Sequence, residues 1–237
     1  PNAYSDYAIL YLPAVSDVII QGGTIVGDRN EHSGTTGESG MGIWIASSSR
    51  VYIAGVTIRD CWGDGLYVGG NSGCSTIRLC HVISDHNRRQ GLSVVYAADV
   101  RIQYSVFSNT GGTLPEAGID LEPNEGETVS DVWISDCSFT RNAGSGVQCG
   151  VAAGNTGKSF IRAVVIEKST FTDNGFPKVL GSEGAGGIEI SNTTGHIVRA
   201  SSLSGNKAWG IRLRDDADST VLEGNVVDGT KQDGIYV

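Results

Sequence analysis

One short pattern recurs along the whole chain: a glycine, an apolar residue, any residue, an apolar residue, any residue. It reads GIWIA from Gly42, GLYVG from Gly65, GLSVV from Gly91, GIDLE from Gly118 and GVQCG from Gly146. GIEIS from Gly187, GIRLR from Gly210 and a terminal GIYV from Gly234 complete the set. Successive glycines are 23, 26, 27, 28, 41, 23 and 24 residues apart. In a strand, side chains alternate between two faces, so the two apolar positions of each unit point one way and the two variable positions the other. So short a unit buries its apolar face mainly against its own copies, and such a period without helical patterning indicates a β-solenoid.

Each repeat has a second half, such as RVYIAGVTIRDC, DVRIQYSVFSNT or DVWISDCSFTRN. Phe107, Phe139, Phe171 and Leu203 hold its phase, and Asn142, Asn174 and Asn206 follow three residues after the last three. Stacked asparagines bond to their copies in the next coil, and stacked phenylalanines pack. Leucine-rich repeats lack support because their LxxLxLxxN signature is missing, and a β-propeller needs about 40 residues per blade. The expected fold is all-β: a right-handed single-stranded parallel β-helix of about eight coils, one domain over residues 1–237. Its start at Pro1 and its end inside the strand pattern at Val237 suggest a fragment of a longer protein.

Composition narrows the function. The formal charge of −9 argues against nucleic acid, which needs a basic face. No run of about 18 apolar residues exists to cross a membrane as a helix, and the first residues lack the basic and apolar regions of a signal peptide. The five cysteines have no metal-type spacing and form no disulfide framework; Cys149, at an inward position, reads as a small apolar core residue. Residues 27–40 and 174–186 interrupt the rhythm, as does the shorter 110–118. Each is either a solvated loop or a segment lining a site.

Superposing the repeats gives a map of the outward surface. Two residues after each glycine stand Trp44, Tyr67, Ser93, Asp120, Gln148, Glu189, Arg212 and Tyr236. Asp64, Gln90 and Trp209 belong to the column one before each glycine, and Glu122 and Arg214 to the column four after. GIDLE alone carries acids at both outward positions. Asp120 and Glu122 should have Cβ atoms roughly 6.5–7 Å apart, as a solvent-exposed pair whose repulsion raises one pKa. Glycoside hydrolysis uses two carboxyl groups, and spacings of roughly 6.5–9.5 Å suit an inverting enzyme. Asp64 and Glu189, each two coils away, are the flanking catalytic candidates. Trp44, Tyr67, Arg89, Gln148, Trp209 and Arg212 are candidate substrate contacts, since aromatic faces pack on sugar rings while polar groups bond hydroxyls. Plain surface charge or a calcium site remains the alternative reading of the acids.

The repeated Gly-Ile-X-Ile unit with V-x-I and F-x-x-N resembles the parallel β-helix repeats of the pectate-lyase-like superfamily. That group includes polygalacturonases, pectate and alginate lyases, alginate epimerases and phage tailspike depolymerases. GDRNEH, CWGDGLYVGG and NRRQGLSV also resemble a recurring subset of bacterial and phage β-helix proteins. The catalytic sets match incompletely. Asp64-Gly65 resembles part of the polygalacturonase pattern, but its paired Asp and Gly-His-Gly are missing. GIDLEPNE resembles the epimerase strand only at Asp120, with Glu122 in place of its His and Gly150 in place of its partner Asp. The resemblance implies a polysaccharide substrate and an extracellular, cell-surface or virion location. A homotrimer is also compatible with it. The leading expectation is a glycoside hydrolase without a cofactor. The alternatives are a lyase or uronate epimerase, with calcium possible for a lyase, and a non-catalytic carbohydrate-binding or structural β-helix.

Overall fold

A computed structural model describes residues 7–176 and 184–237. Its strands form three parallel sheets of nine, eight and eight strands, each pairing with the strand one coil before and one coil after. A central coil runs through Ile119–Leu121, Thr128–Ser135 and Ser138–Thr140, one strand in each sheet. The only helical element among the described residues is a single turn, Ala153–Asn155. The parallel β-helix expected from the repeat is therefore the fold. The glycine units all lie in the nine-stranded sheet, joined by Ala8–Pro13, a strand that lacks the glycine and so escaped the pattern.

The sequence phase is the structural phase. Ile43, Ile45, Leu66, Val68, Leu92, Val94, Ile119, Leu121, Val147, Cys149, Ile188, Ile190, Ile211 and Leu213 are all buried in one continuous core. Leu10, Leu12, Val18, Ile20 and Ile25 in the first coil, and Leu222 and Val227 near the last, are only partly buried. Among the described residues these coils have a neighbour on one side alone, which leaves their apolar residues partly open.

Two ladders run inside the stack. The rings of Phe107 and Phe139 lie 5.5 Å apart and those of Phe139 and Phe171 4.6 Å apart, nearly parallel. At the adjoining corner Asn142, Asn174 and Asn206 are buried. Asn174 Nδ2 donates to Phe139 O at 2.9 Å and to Asn206 Oδ1 at 3.2 Å. Its Oδ1 accepts from the Asn142 backbone N–H at 3.2 Å and from Asn142 Nδ2 at 2.9 Å. The side chain thus meets backbone groups that the corner takes out of the sheet ladder. Asn174→Ala should lose about 3 kcal/mol of stability by leaving buried partners unmet, read as a lowered urea midpoint with the strand circular dichroism spectrum retained.

Candidate active-site cleft

The acids expected in the exposed outward columns are not exposed. Asp120 is 2 % and Asp64 0 % exposed, while Glu122 is half-buried. The polar insertion 27–40 packs beside them and walls the pocket with Glu38 and Ser39. Arg88 Nη1 donates to Gly37 O at 2.9 Å, and Gly63 N–H donates to Gly40 O at 2.9 Å. His32 stacks on Trp62 at 3.9 Å between centroids, and the Arg88 guanidinium lies 3.8 Å from the Trp62 ring. Arg29 reaches under the insertion to donate to His86 O at 2.7 Å and Gly111 O at 2.5 Å. The three motifs GDRNEH, CWGDG and NRRQG thus meet in space as a clamp that holds the insertion on the first sheet.

What remains open is a pocket of about 250 Å³ lined by Glu38, Ser39, Met41, Trp44, Tyr67, Arg89, Ser93, Val95, Asp120, Glu122 and Asn124. Glu122 also borders a wider groove of about 600 Å³ that continues past Gln148, Glu189 and Arg214. Together they form a cleft along the stacking direction. Trp44 pairs edge-on with Tyr67, with ring centroids 5.7 Å apart, and Tyr11 extends the aromatic row on the other side at 5.0 Å from Trp44.

Asp120 sits between Ser93 and Gln148 in register. Burial, then the neighbouring Glu122 charge, pushes its pKa well above the ordinary carboxylate value. Burial comes first, where repulsion between exposed groups was expected. Gln90, fully buried, orients the group. Its Oε1 accepts the Ala117 backbone N–H at 2.9 Å, so its Nε2 must be the atom that donates to Asp120 Oδ2 at 2.7 Å. Oδ1 is buried and receives no donor among the described residues, while the carboxyl lies within hydrogen-bonding reach of the Glu122 side chain. Sequence reasoning placed Gln90 in an outward column but missed this role, because nothing local says which way an amide turns.

Asp64, expected as a flanking catalytic acid, does not line the cleft. Its Oδ2 accepts the Ser93 hydroxyl at 2.8 Å, and Arg89 Nη1 lies 3.3 Å from the same atom. Burial pushes its pKa up to about 6, against the opposing pull of Arg89 and Ser93. Its part is to hold Arg89, whose other side meets Glu38 at 3.4 Å. Burial works against the Arg89 charge, but Asp64, Glu38 and Asp120 outweigh it and keep the pKa raised.

Glu189 lines the groove yet is committed to cations, 3.0 Å from Arg214 Nε and 3.9 Å from Arg212 Nη1. Trp209, expected as a sugar contact, is 2 % exposed and lies under Arg212, 4.2 Å from ring centroid to guanidinium. Gln148 and Arg212 border a further depression with Phe176, Gly184 and Ala185. Of the interruption at 174–186, residues 177–183 lie outside the described residues. Burial, then the Glu127 and Asp64 charges, raises the Tyr67 pKa. None of the four histidines lines the cleft. His32 is in the clamp, His81 stacks on Tyr104, His86 pairs with Asp60, and His196 is buried beside Thr193. No three His, Cys, Asp or Glu side chains gather as a metal site among the described residues.

Three parallel sheets wound coil on coil, with a lateral cleft, define a right-handed parallel β-helix protein. The chain belongs to the family described as "Right handed beta helix region", which it matches over residues 7–160 and 134–237. It is 31 % identical over 169 residues to the SPbeta prophage-derived uncharacterized protein YorA of Bacillus subtilis (strain 168), covering 60 % of this chain and 28 % of that protein. It is 32 % identical over 172 residues to the uncharacterized protein YclG of the same strain, covering 62 % and 29 %. The chain thus aligns with less than a third of either relative's length. Among solved structures it is similar to the mannuronan C-5 epimerase AlgE4 A-module of Azotobacter vinelandii, with TM-score 0.54 and 16 % identity over 97 % of this chain and 74 % of that one. That likeness is one of fold.

Two titrations test the site. Asp64 has its folded pKa raised, so the stability it contributes is whole below 3.8 and is lost as pH rises to about 6. The loss is about 3 kcal/mol, and Asp120 adds in the same sense. Urea midpoints on either side of that window should differ less in Asp64→Asn than in the wild type. Gln90→Leu removes a donor that favours ionised Asp120, so carbon NMR of the labelled carboxyl should show its pKa rising further.

Proposed function

We propose that this protein is a glycoside hydrolase that cleaves a polysaccharide lying along the first sheet, with Asp120 as general acid and Glu122 as general base. The observation that carries the reading is the buried, protonation-favouring Asp120 beside the more open Glu122, in one pocket walled by Trp44 and Tyr67. Asp120 passes its proton to the glycosidic oxygen as the bond to the anomeric carbon breaks. Glu122 takes a proton from a water that adds to that carbon from the opposite face. Here the two carboxyl groups lie close enough to share a hydrogen bond, so the water enters once Glu122 turns toward the groove it also lines; a carboxyl separation of roughly 6.5–9.5 Å then suits inversion.

A lyase or epimerase finds less support. It needs a Lys, Arg, His or Tyr base, and the histidines lie away from the cleft, burial keeps the Tyr67 phenol protonated, and Arg89 is held as a cation by Asp64 and Glu38. The mannuronan epimerase module, alike in fold, agrees with a polymer substrate without deciding the reaction. A polymer substrate fits action outside a cell, on its surface or on a virion.

The test is release of reducing ends from a polysaccharide panel, with ultraviolet absorbance monitored for an unsaturated lyase product. Asp120→Asn and Glu122→Gln should each reduce cleavage at least about a thousandfold, with thermal stability unchanged or raised. Product NMR should show an inverted anomeric centre. Wild-type rates in both variants would remove the site from this strand.

A further inference from the structure

The pocket beside Asp120 is poor in positive charge. Arg89 is the only cation lining it among the described residues, and Asp64 holds that guanidinium from behind while Glu38 meets it from the insertion. Glu38 and Glu122 themselves border the opening. Even with Asp120 protonated, three carboxylates face one guanidinium. Farther along, Glu189 lies between Arg212 and Arg214, and Asp215 and Asp216 add acids to the same groove. A carboxylate-bearing sugar entering here meets cations already engaged by protein acids, and at the pocket it meets a net negative field.

The polar atoms of the pocket ask for something else. Trp44 Nε1 is buried without a partner among the described residues, and Trp44 lines the pocket. The indole N–H is a donor only. The Asp120 carboxyl, paired with Glu122, accepts when ionised and can donate when it carries the proton. A hydroxyl group suits both, since it donates and accepts at no cost in charge. The edge-packed Trp44 and Tyr67 add apolar ring surface for the face of a pyranose.

We infer that the cleft takes an uncharged polysaccharide and excludes uronate polymers, with Glu38 of the insertion as a residue that sets this selectivity. The inference rests on the cleft proposed above as the site of cleavage, and it adds the substrate class. Glu38 suits the role because its side chain is 70 % exposed at the mouth and, among the described residues, forms an ion pair only with Arg89. It touches no reacting group, so replacing it should leave the fold and the acid pair in place.

Affinity electrophoresis tests the proposal at neutral pH and low salt, where charge effects are least screened. The whole chain, as wild type and as Asp120→Asn to block turnover, is run through gels holding polygalacturonate or alginate, their carboxyl-reduced forms, galactomannan or β-glucans. The expected result is retardation by at least one uncharged polymer and none by the uronates. Glu38→Lys should bind uronate polymers at least about fivefold more tightly than the wild type, and added salt should erase the gain. Retention by uronates in the wild type, or by no polymer in the panel, would overturn the inference. So would a Glu38→Lys variant with unchanged uronate binding. Binding of an uncharged polymer without release of reducing ends would sink the hydrolase reading and leave the selectivity standing. Cleavage of a uronate polymer would do the reverse.

Discussion

The structure depends on how closely the backbone of one coil approaches the next at the glycine corner. A Cβ on Gly118 would lie 2.6 Å from Gly146 O and 3.0 Å from Phe139 Cδ1, and one on Gly146 would lie 2.8 Å from Gly187 O and 2.7 Å from Phe171 Cδ1. No side chain fits there. None of these glycines needs a left-handed backbone, so the requirement is space and not conformational freedom. The glycine column and the phenylalanine stack are therefore two sides of one constraint: the ring fills the corner that the missing side chain leaves.

From that approach follows the register, and from the register the site. Because each glycine aligns with the next, the residue two places on aligns as well, and Asp120 comes to lie between Ser93 and Gln148. Neither neighbour carries a charge. The serine turns to Asp64, whose carboxylate in turn braces Arg89, so a buried polar network grows from positions set by stacking alone. Burying carboxyl groups this way raises their pKa values and opposes folding near neutral pH, the kind of local expense that accompanies chemistry rather than packing.

The insertion walls the pocket beside Asp120 through Glu38 and Ser39, and it is held by contacts that no periodicity announces. Trp62 lies between an imidazole and a guanidinium, while Arg29 binds two backbone carbonyls beneath the loop. The same loop brings Glu38 to the mouth. A segment that only interrupts the repeat in sequence thus shapes one wall of the pocket and decides which charges a ligand meets first.

The sequence by itself determined the solenoid, the inward residues, the asparagine and phenylalanine ladders, and the singular acid pair in GIDLE. All of these depend on neighbours at a fixed period, and a strand's alternation makes them readable one unit at a time. It could not separate Asp120, which lines the pocket, from Asp64, which lies behind it, because both occupy outward columns. Nor could it show that Trp209 is covered, that Glu189 is ion-paired, or that Gln90 points its amide at Asp120. Those outcomes turn on side chains from different coils and on an insertion crossing over them. Such contacts have no period, and only the tertiary structure decides them.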